Sequence, residues 1–251
     1  MIDIVASSDF HGWLPEITRS FDLMLLAGDL EPAHDHYYEY QREWYINTFV
    51  PWILSLPFKN DQSKVVFIAG NHSCYLAQEG GESPSIYQNI IKPCEGRLVY
   101  LHNQEYTWKH VNWDEIFEGK PVKATHIKIF GTPCCTIFGN WWNMLSDDTL
   151  KEKYSEIPED CDIVLSHDAP YGLCDKCFGW YELGKTPYSI GNQPLREAIE
   201  NKKPKYCLCG HLHSANHDWE KSENGTLVRQ ISYLNEQYIP TYNPYYFTWQ
   251  E

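Results

Sequence analysis

Apolar residues in this chain gather into short runs that stop abruptly at small polar clusters. Lys64-Val65-Val66-Phe67-Ile68-Ala69 leads straight into Gly70-Asn71-His72. A run of that length, rich in β-branched residues, reads as a strand buried on both faces. Gly70 then permits a sharp turn without a Cβ clash. The same form recurs four times. Met1–Ala6 runs into Asp9-Phe10-His11, Leu23–Ala27 into Gly28-Asp29, Asp162–Ser166 into His167-Asp168, and Tyr206–Cys209 into Gly210-His211-Leu212-His213. Polar residues at the carboxyl ends of strands are where ligands bind in open α/β sheets. In an extended segment, Asp9 and His11 point the same way, as do His211 and His213.

Other stretches carry other periods. Leu14–Phe21 reads as a short helix. Asp35–Leu56 spaces Tyr37, Tyr40, Trp44, Tyr45, Thr48, Phe49 and Trp52 by threes and fours, which predicts a long amphipathic helix with its aromatics in the core. Ser83–Lys92 predicts a helix with Ser83 as N-cap and Pro84 in the first turn. Asp147–Ile157 and Gln193–Asn201 also read as helices. Leu98–Tyr100, Glu105–Trp108 and Thr125–Phe130 read as the start of a second, less buried sheet, and Leu227–Ser232 as a further strand. The aromatic tail around Tyr242–Phe247 is expected to pack across a sheet.

Two segments are irregular. Gly131–Asn143 carries Phe138, Trp141 and Trp142 among Gly and Pro; its rings either meet a substrate or fold under into the core. Ala169–Ile190 has the length of a lid or binding segment. Glu31 reads as solvated, His34 and His36 as exposed, and His102, His110 and His126 as surface residues.

Size and charge narrow the picture. The chain of 251 residues suits one domain, 1–251, with no Gly/Ser or Pro-rich linker. A chain this long buries roughly three quarters of its unfolded surface. The net charge of −14 repels polyanions, so no long nucleic acid is expected as a partner. No apolar run approaches the ~20 residues of a membrane span. Nine cysteines and no leader-like start lead us to expect a cytoplasmic protein with reduced thiols. Cys174-x-x-Cys177 and Cys207-x-Cys209 invite a structural zinc site, but zinc knuckles want two to four residues between their cysteines, so buried thiols are the better reading.

Taken in chain order, the tips read Asp-x-His, Gly-Asp, Gly-Asn-His, His and Gly-His-x-His. This resembles the calcineurin-like metallophosphoesterase superfamily, with all its sequence blocks in order over residues 9–213. Phe130-Gly131-Thr132-Pro133, Phe138–Asn143 and Ser232–Tyr238 look like the phosphodiesterase branch that includes the Mpped-like proteins. The resemblance implies an α/β fold that is a four-layer α-β-β-α sandwich of two mixed sheets. It implies one metal ion held by Asp9, His11, Asp29 and His213, and a second held by Asp29, Asn71, His167 and His211, with Asp29 bridging. It also implies attack on phosphorus by a metal-bridging hydroxide, with His72 as the catalytic general acid.

The residue types suit that chemistry. Imidazole and carboxylate favour cations such as Mn, Fe, Zn or Ni, with Mn preferred, and no thiolate is expected in the site. Two cations would leave a positive centre that draws a phosphate ester into an acidic protein. Many members carry an acidic residue where this chain has Ser73. A small phosphodiester or nucleotide is the expected substrate. A phosphomonoesterase, a dinucleoside polyphosphatase, a protein phosphatase and a catalytically silent scaffold are the alternatives.

Overall fold

The computed structural model describes residues 1–34, 36–112, 124–177 and 187–249. Its frame is two mixed sheets. The first contains β1 (Asp3–Ser7), β2 (Leu23–Leu26), β3 (Lys64–Ile68) and β4 (Leu98–Leu101), with β15 (Tyr245–Thr248) at one edge, in the order β15-β1-β2-β3-β4. The second contains β5 (Gln104–Val111), β6 (Ala124–Thr132), β9 (Ile163–Ser166), β12 (Tyr206–Cys209), β13 (Glu220–Lys221) and β14 (Leu227–Gln230), in the order β13-β14-β12-β9-β6-β5. Short pairs outside the two sheets join β7 (Cys135–Thr136) to β8 (Met144–Leu145) and β10 (Lys176–Cys177) to β11 (Tyr188–Ser189). Strands β1 to β4 are mutually parallel, as are β6, β9, β12 and β14. Antiparallel partners close three of the edges: β15 on β1, β5 on β6 and β13 on β14.

Strand periodicity sorts the side chains into layers. Ile4, Ala6, Leu23, Leu25, Val66 and Ile68 of the first sheet face Ile127, Ile129, Ile163, Leu165 and Leu208 of the second. The alternate residues Val5, Met24, Leu26, Val65 and Phe67 turn outward onto Tyr45, Phe49, Tyr75 and Ile90. On the far side, Val164, Cys207 and Val228 meet Leu150, Tyr154, Leu195 and Ile199. Both faces of each central strand are thus buried, which is why those strands read as unbroken apolar runs. The result is the expected four-layer α-β-β-α sandwich.

The aromatic helix runs as α1 (Tyr38–Trp44), a π-helical turn (Tyr45–Phe49) and α2 (Val50–Ser55). Asp35, where the sequence suggested it would begin, lies outside the described residues. Next come α3 (Cys74–Glu79) and α4 (Pro84–Ile86), the latter capped as expected by Ser83, whose Oγ accepts from the Ser85 and Ile86 amides. The second sheet is covered by α5 (Asp147–Ser155) and α6 (Gln193–Lys202).

Three expectations need correction. Leu14–Phe21 forms no helix: it is an irregular crossover that buries Ile17 and Phe21, and Trp52 Nε1 donates to the Pro15 carbonyl at 3.1 Å. The strand at Leu98 belongs to the first sheet, since β4 pairs with β3, and the second sheet starts only at β5. The aromatic tail does not lie across a sheet but joins one, with Phe247 opposite Ile4. No helix among the described residues is long and apolar enough to cross a membrane.

Candidate metal centre

The strand tips of both sheets open on one side of the sandwich, and their polar residues meet there. Asp9 and His11 follow β1, Asp29 follows β2, Asn71 and His72 follow β3, His167 follows β9, and His211 and His213 follow β12. All eight sequence-predicted residues are brought together. His11 Nε2 faces His213 Nε2 at 3.3 Å, and His213 Nε2 lies 3.3 Å from Asp9 Oδ1. Asp29 Oδ2 is 3.2 Å from His167 Nε2 and 4.0 Å from His11 Nε2. Asn71 Oδ1 is 2.9 Å from His167 Nε2. The donor atoms of Asp9, His11 and His213 all lie within 4.8 Å of one another, as do those of Asp9, Asp29 and His167.

The backbone reaches this arrangement differently from the extended one expected. Asp9, His11, Asp29 and His211 have φ of 53°, 42°, 51° and 71°, all in the left-handed region. Such conformations cost about 1–3 kcal/mol each and gather where function demands them. Turning the chain over, rather than alternation along a strand, aims these side chains inward. Two glycines make room. A Cβ on Gly70 would sit 2.1 Å from Asp29 Oδ1, and one on Gly210 would sit 2.5 Å from Asp9 Oδ2. In the Gly-Asn-His and Gly-His-x-His motifs, the glycine thus leaves space for a carboxylate from another strand.

Hydrogen bonds hold the donors. Asp9 Oδ2 accepts from Ser8 Oγ at 2.5 Å and Ser232 Oγ at 2.8 Å, and the His211 amide points at the same carboxylate. The His72 amide donates to Asp29 Oδ1 at 2.9 Å. His167 Nδ1 meets the Ala27 carbonyl at 2.7 Å and His213 Nδ1 the Asn235 carbonyl at 3.0 Å. Each of these rings therefore turns Nε2 into the centre, the arrangement typical of metal-ligating histidines.

Electrostatics follow from burial. Burial alone would raise Asp9 and Asp29, but the neighbouring histidines outweigh it and both carboxyls fall below the ordinary range. Burial alone would lower His167 and His213, but Asp29 and Asp9 carry them up to about 9. His11 is pushed by burial down to about 3, so it is a neutral ring with a lone pair to offer. His211 is likewise lowered by burial. Two buried carboxylates thus rest against imidazole rings that they hold toward the charged form. Among the described residues, His11 Nδ1 is buried without a hydrogen-bond partner. This buried set of carboxylate, amide and imidazole donors fits a pair of divalent cations.

A cleft of about 570 Å³ opens above the centre, lined by His11, Asp29, Asn71, His72, His211 and His213 together with Trp13, His34, His36, Phe138, Trp141, Glu236 and Tyr238. The Gly131–Asn143 segment does not fold its rings under. Phe138 is 60% exposed and Trp141 40%, and both face the cleft. The Trp142 amide donates to the Asn71 carbonyl at 3.0 Å, and Asn143 Nδ2 to the Gly70 carbonyl at 2.9 Å, which ties this loop to the Gly-Asn-His tip. Residues 178–186 of the other suspected lid lie outside the described residues.

Several residues turn out otherwise than the sequence suggested. His36 is half-buried, and its Nε2 lies 2.7 Å from His72 Nδ1. His34 is exposed, as expected, yet lines the cleft. Glu31 is not solvated: it is fully buried, accepts from Tyr45 Oη at 2.6 Å, and is raised by burial and by Asp29 to about 7. A thiol does adjoin the site, for Cys135 Sγ groups with His167 and His211, although burial holds it well above the ordinary thiol range and so keeps it protonated. Tyr238, whose ring centroid is 4.7 Å from that of His11, was also missed as a site residue. The only signal for it was its place in the Ser232–Tyr238 stretch. Cys174, Cys177, Cys207 and Cys209 are buried free thiols, and among the described residues they form no metal-ligating group.

Comparison with known proteins gives the family. Residues 2–215 match the calcineurin-like phosphoesterase family. The chain belongs to that family. The human metallophosphoesterase domain-containing protein 1 is 25% identical over 221 aligned positions, with 83% of this chain and 60% of the human protein covered. The chain thus spans less than two thirds of that relative. A UPF0046 protein of Caenorhabditis elegans is 27% identical over 225 residues, 84% of this chain and 69% of that one. The crystal structure of TT1561 of Thermus thermophilus superposes with a TM-score of 0.52 at 13% identity, covering 90% of this chain and 88% of that one. That last likeness is one of fold, and it agrees with the two-sheet sandwich of the calcineurin-like phosphoesterases.

Proposed function

We propose that this member of the family is a metal-dependent phosphoesterase that hydrolyses a small phosphodiester or nucleotide, cyclic ones included. Asp9, His11, Asp29 and His213 would hold one divalent cation, and Asp29, Asn71, His167 and His211 a second. One observation carries the reading: the single buried oxygen Asp29 Oδ2 faces His167 Nε2 at 3.2 Å and His11 Nε2 at 4.0 Å, and so looks into both donor sets. Imidazole with carboxylate suits Mn, with Fe, Zn and Ni as alternatives. When bound, such a pair supplies Lewis acidity to the phosphate oxygens and to the attacking water.

The remaining work falls to the chain. Asn71 contributes a neutral donor, so only two carboxylates oppose two dications, and the centre stays positive enough to draw in a phosphate. His72 stands on the cleft wall beside Asn71 and would deliver a proton to the leaving oxygen. Trp13, Phe138, Trp141 and Tyr238 give the cleft an aromatic rim suited to organic groups on either side of phosphorus, which favours a diester.

Purified protein loaded with Mn should turn over bis-p-nitrophenyl phosphate faster than p-nitrophenyl phosphate, and chelation should abolish both activities. Faster monoester turnover overturns the diester preference. No turnover of either ester, together with no bound transition metal by elemental analysis, overturns the enzyme reading.

A further inference from the structure

We propose that His36 is a positioning residue for His72, fixing its ring as the Nδ1–H tautomer so that Nε2 is the nitrogen that hands over a proton. This rests on the phosphoesterase reading only as far as it assigns a purpose to that proton. The backbone of His72 is already pinned from two sides. Its amide donates to Asp29 Oδ1 at 2.9 Å, and its carbonyl accepts from Gln41 Nε2 at 2.8 Å. The ring would still be free to rotate and to exchange tautomers. His36 Nε2 at 2.7 Å from His72 Nδ1 removes that freedom. Trp141 closes over both rings, with centroids 4.6 Å from His72 and 4.9 Å from His36.

Ser73, the residue next to His72, does not serve the ring. Its Oγ accepts from the Gly70 amide at 2.8 Å. The partner comes instead from the segment that leads into α1.

The hydrogen bond on one imidazole nitrogen decides which proton the other can trade. With His36 Nε2 as acceptor, His72 keeps its Nδ1–H throughout. In the step itself, the attacking hydroxide oxygen bonds to phosphorus as the P–O bond to the leaving group breaks, the Nε2–H bond of protonated His72 breaks, and an O–H bond forms on the departing oxygen. His72 is left neutral with Nδ1–H still directed at His36. An imidazole partner performs this service without adding a third carboxylate beside Asp9 and Asp29.

The full-length protein and its His36→Ala and His36→Gln variants decide the matter through two readouts. Long-range proton–nitrogen spectra of the neutral imidazoles should show His72 as Nδ1–H in the parent protein and as a tautomer average in His36→Ala. In Mn-loaded protein, His36→Ala should lower kcat about 30-fold on a cyclic nucleotide, whose leaving oxygen is an alkoxide that needs the proton. It should lower kcat less than about 3-fold on a p-nitrophenyl diester, which needs little protonation, with KM unchanged within about 2-fold on both. His36→Gln, whose side-chain oxygen can accept, should recover part of the cyclic-nucleotide rate. Finding His72 as Nε2–H in the parent, an unchanged tautomer in His36→Ala, or equal losses on both esters would overturn the proposal. A parent protein that cleaves neither ester defeats the phosphoesterase reading instead, and the spectra still decide whether His36 governs the His72 ring.

Discussion

The two sheets contribute unlike halves to one centre. The first ends in Asp9, His11, Asp29, Asn71 and His72, and so supplies every carboxylate of the donor set. The second ends in His167, His211 and His213, and supplies imidazole alone. Their outer faces differ as well. The first packs on aromatics, with Phe49 within 5.5 Å of Phe67 and 5.2 Å of Tyr45 between ring centroids. The second packs on Leu150, Tyr154, Leu195 and Ile199, in a buried cluster that also holds the thiols of Cys134, Cys161, Cys174, Cys177, Cys207 and Cys209. Neither half holds charge balance by itself. The acids of the first sheet need either protonated rings from the second or cations shared between them, so the centre exists only while the sheets stay docked. The apolar layer between them, led by Ile4, Leu25, Val66, Ile129 and Leu165, is what keeps these side chains in register.

This division can be broken most sharply at the residue that faces both halves. Asp29→Asn should lower phosphoesterase kcat/KM by roughly 10³-fold or more, ~4 kcal/mol of transition-state stabilisation, with the fold intact by circular dichroism. A loss below about tenfold would show that the carboxylate does not join the two sets, since losing even an outer partner of a ligand typically costs about 10–100-fold.

The outer layers should respond unequally. Phe49→Ala opens a large cavity in the aromatic layer and should lower unfolding free energy by about 3–5 kcal/mol in a urea titration. Cations shared by the halves should stabilise the protein by about 2.7 kcal/mol at a hundredfold excess over Kd, seen as a rise in Tm on adding Mn and its reversal on chelation.

That rise should depend on pH. In the metal-free protein, the carboxylates overcome burial and hold His167 and His213 up at about 9, against an ordinary 6.5. A raised folded-state value gives stability that is complete below the unfolded value and lost as pH climbs through the folded one. The metal-free form should therefore weaken between about pH 6.5 and 9, while rising pH removes the protons that compete with the metal. The Tm gap between Mn-loaded and chelated protein should widen over that window; a constant or shrinking gap contradicts the exchange of protons for cations. The smallest effect belongs to the thiol layer, where Cys207→Ala removes a single small group and should cost about 1 kcal/mol in the same urea titration.

The strands and their tips were legible because strands buried on both faces must be apolar throughout, and a ligand-bearing turn must break that run with small and polar residues. Gly70, Asn71 and His72 stand out for that reason, and so do Gly210, His211 and His213. The helix at Ser83 was legible from its cap. The irregular crossover at Leu14–Phe21 was not, because its apolar spacing also suits a helix, and tertiary burial of Ile17 and Phe21 chose otherwise.

By itself, then, the order of residues determined which side chains end each strand and that the central strands are apolar on both faces, since both are properties of local spacing. Only the tertiary structure decided that Glu31 is sealed beneath Tyr45, that Cys135 adjoins His167, that the Phe138 and Trp141 rings face the cleft, and that His36 meets His72. The reason is distance along the chain. Such contacts join segments 14 or more residues apart, and no local period records them; they arise only when helices, strand tips and loops pack together over one mouth.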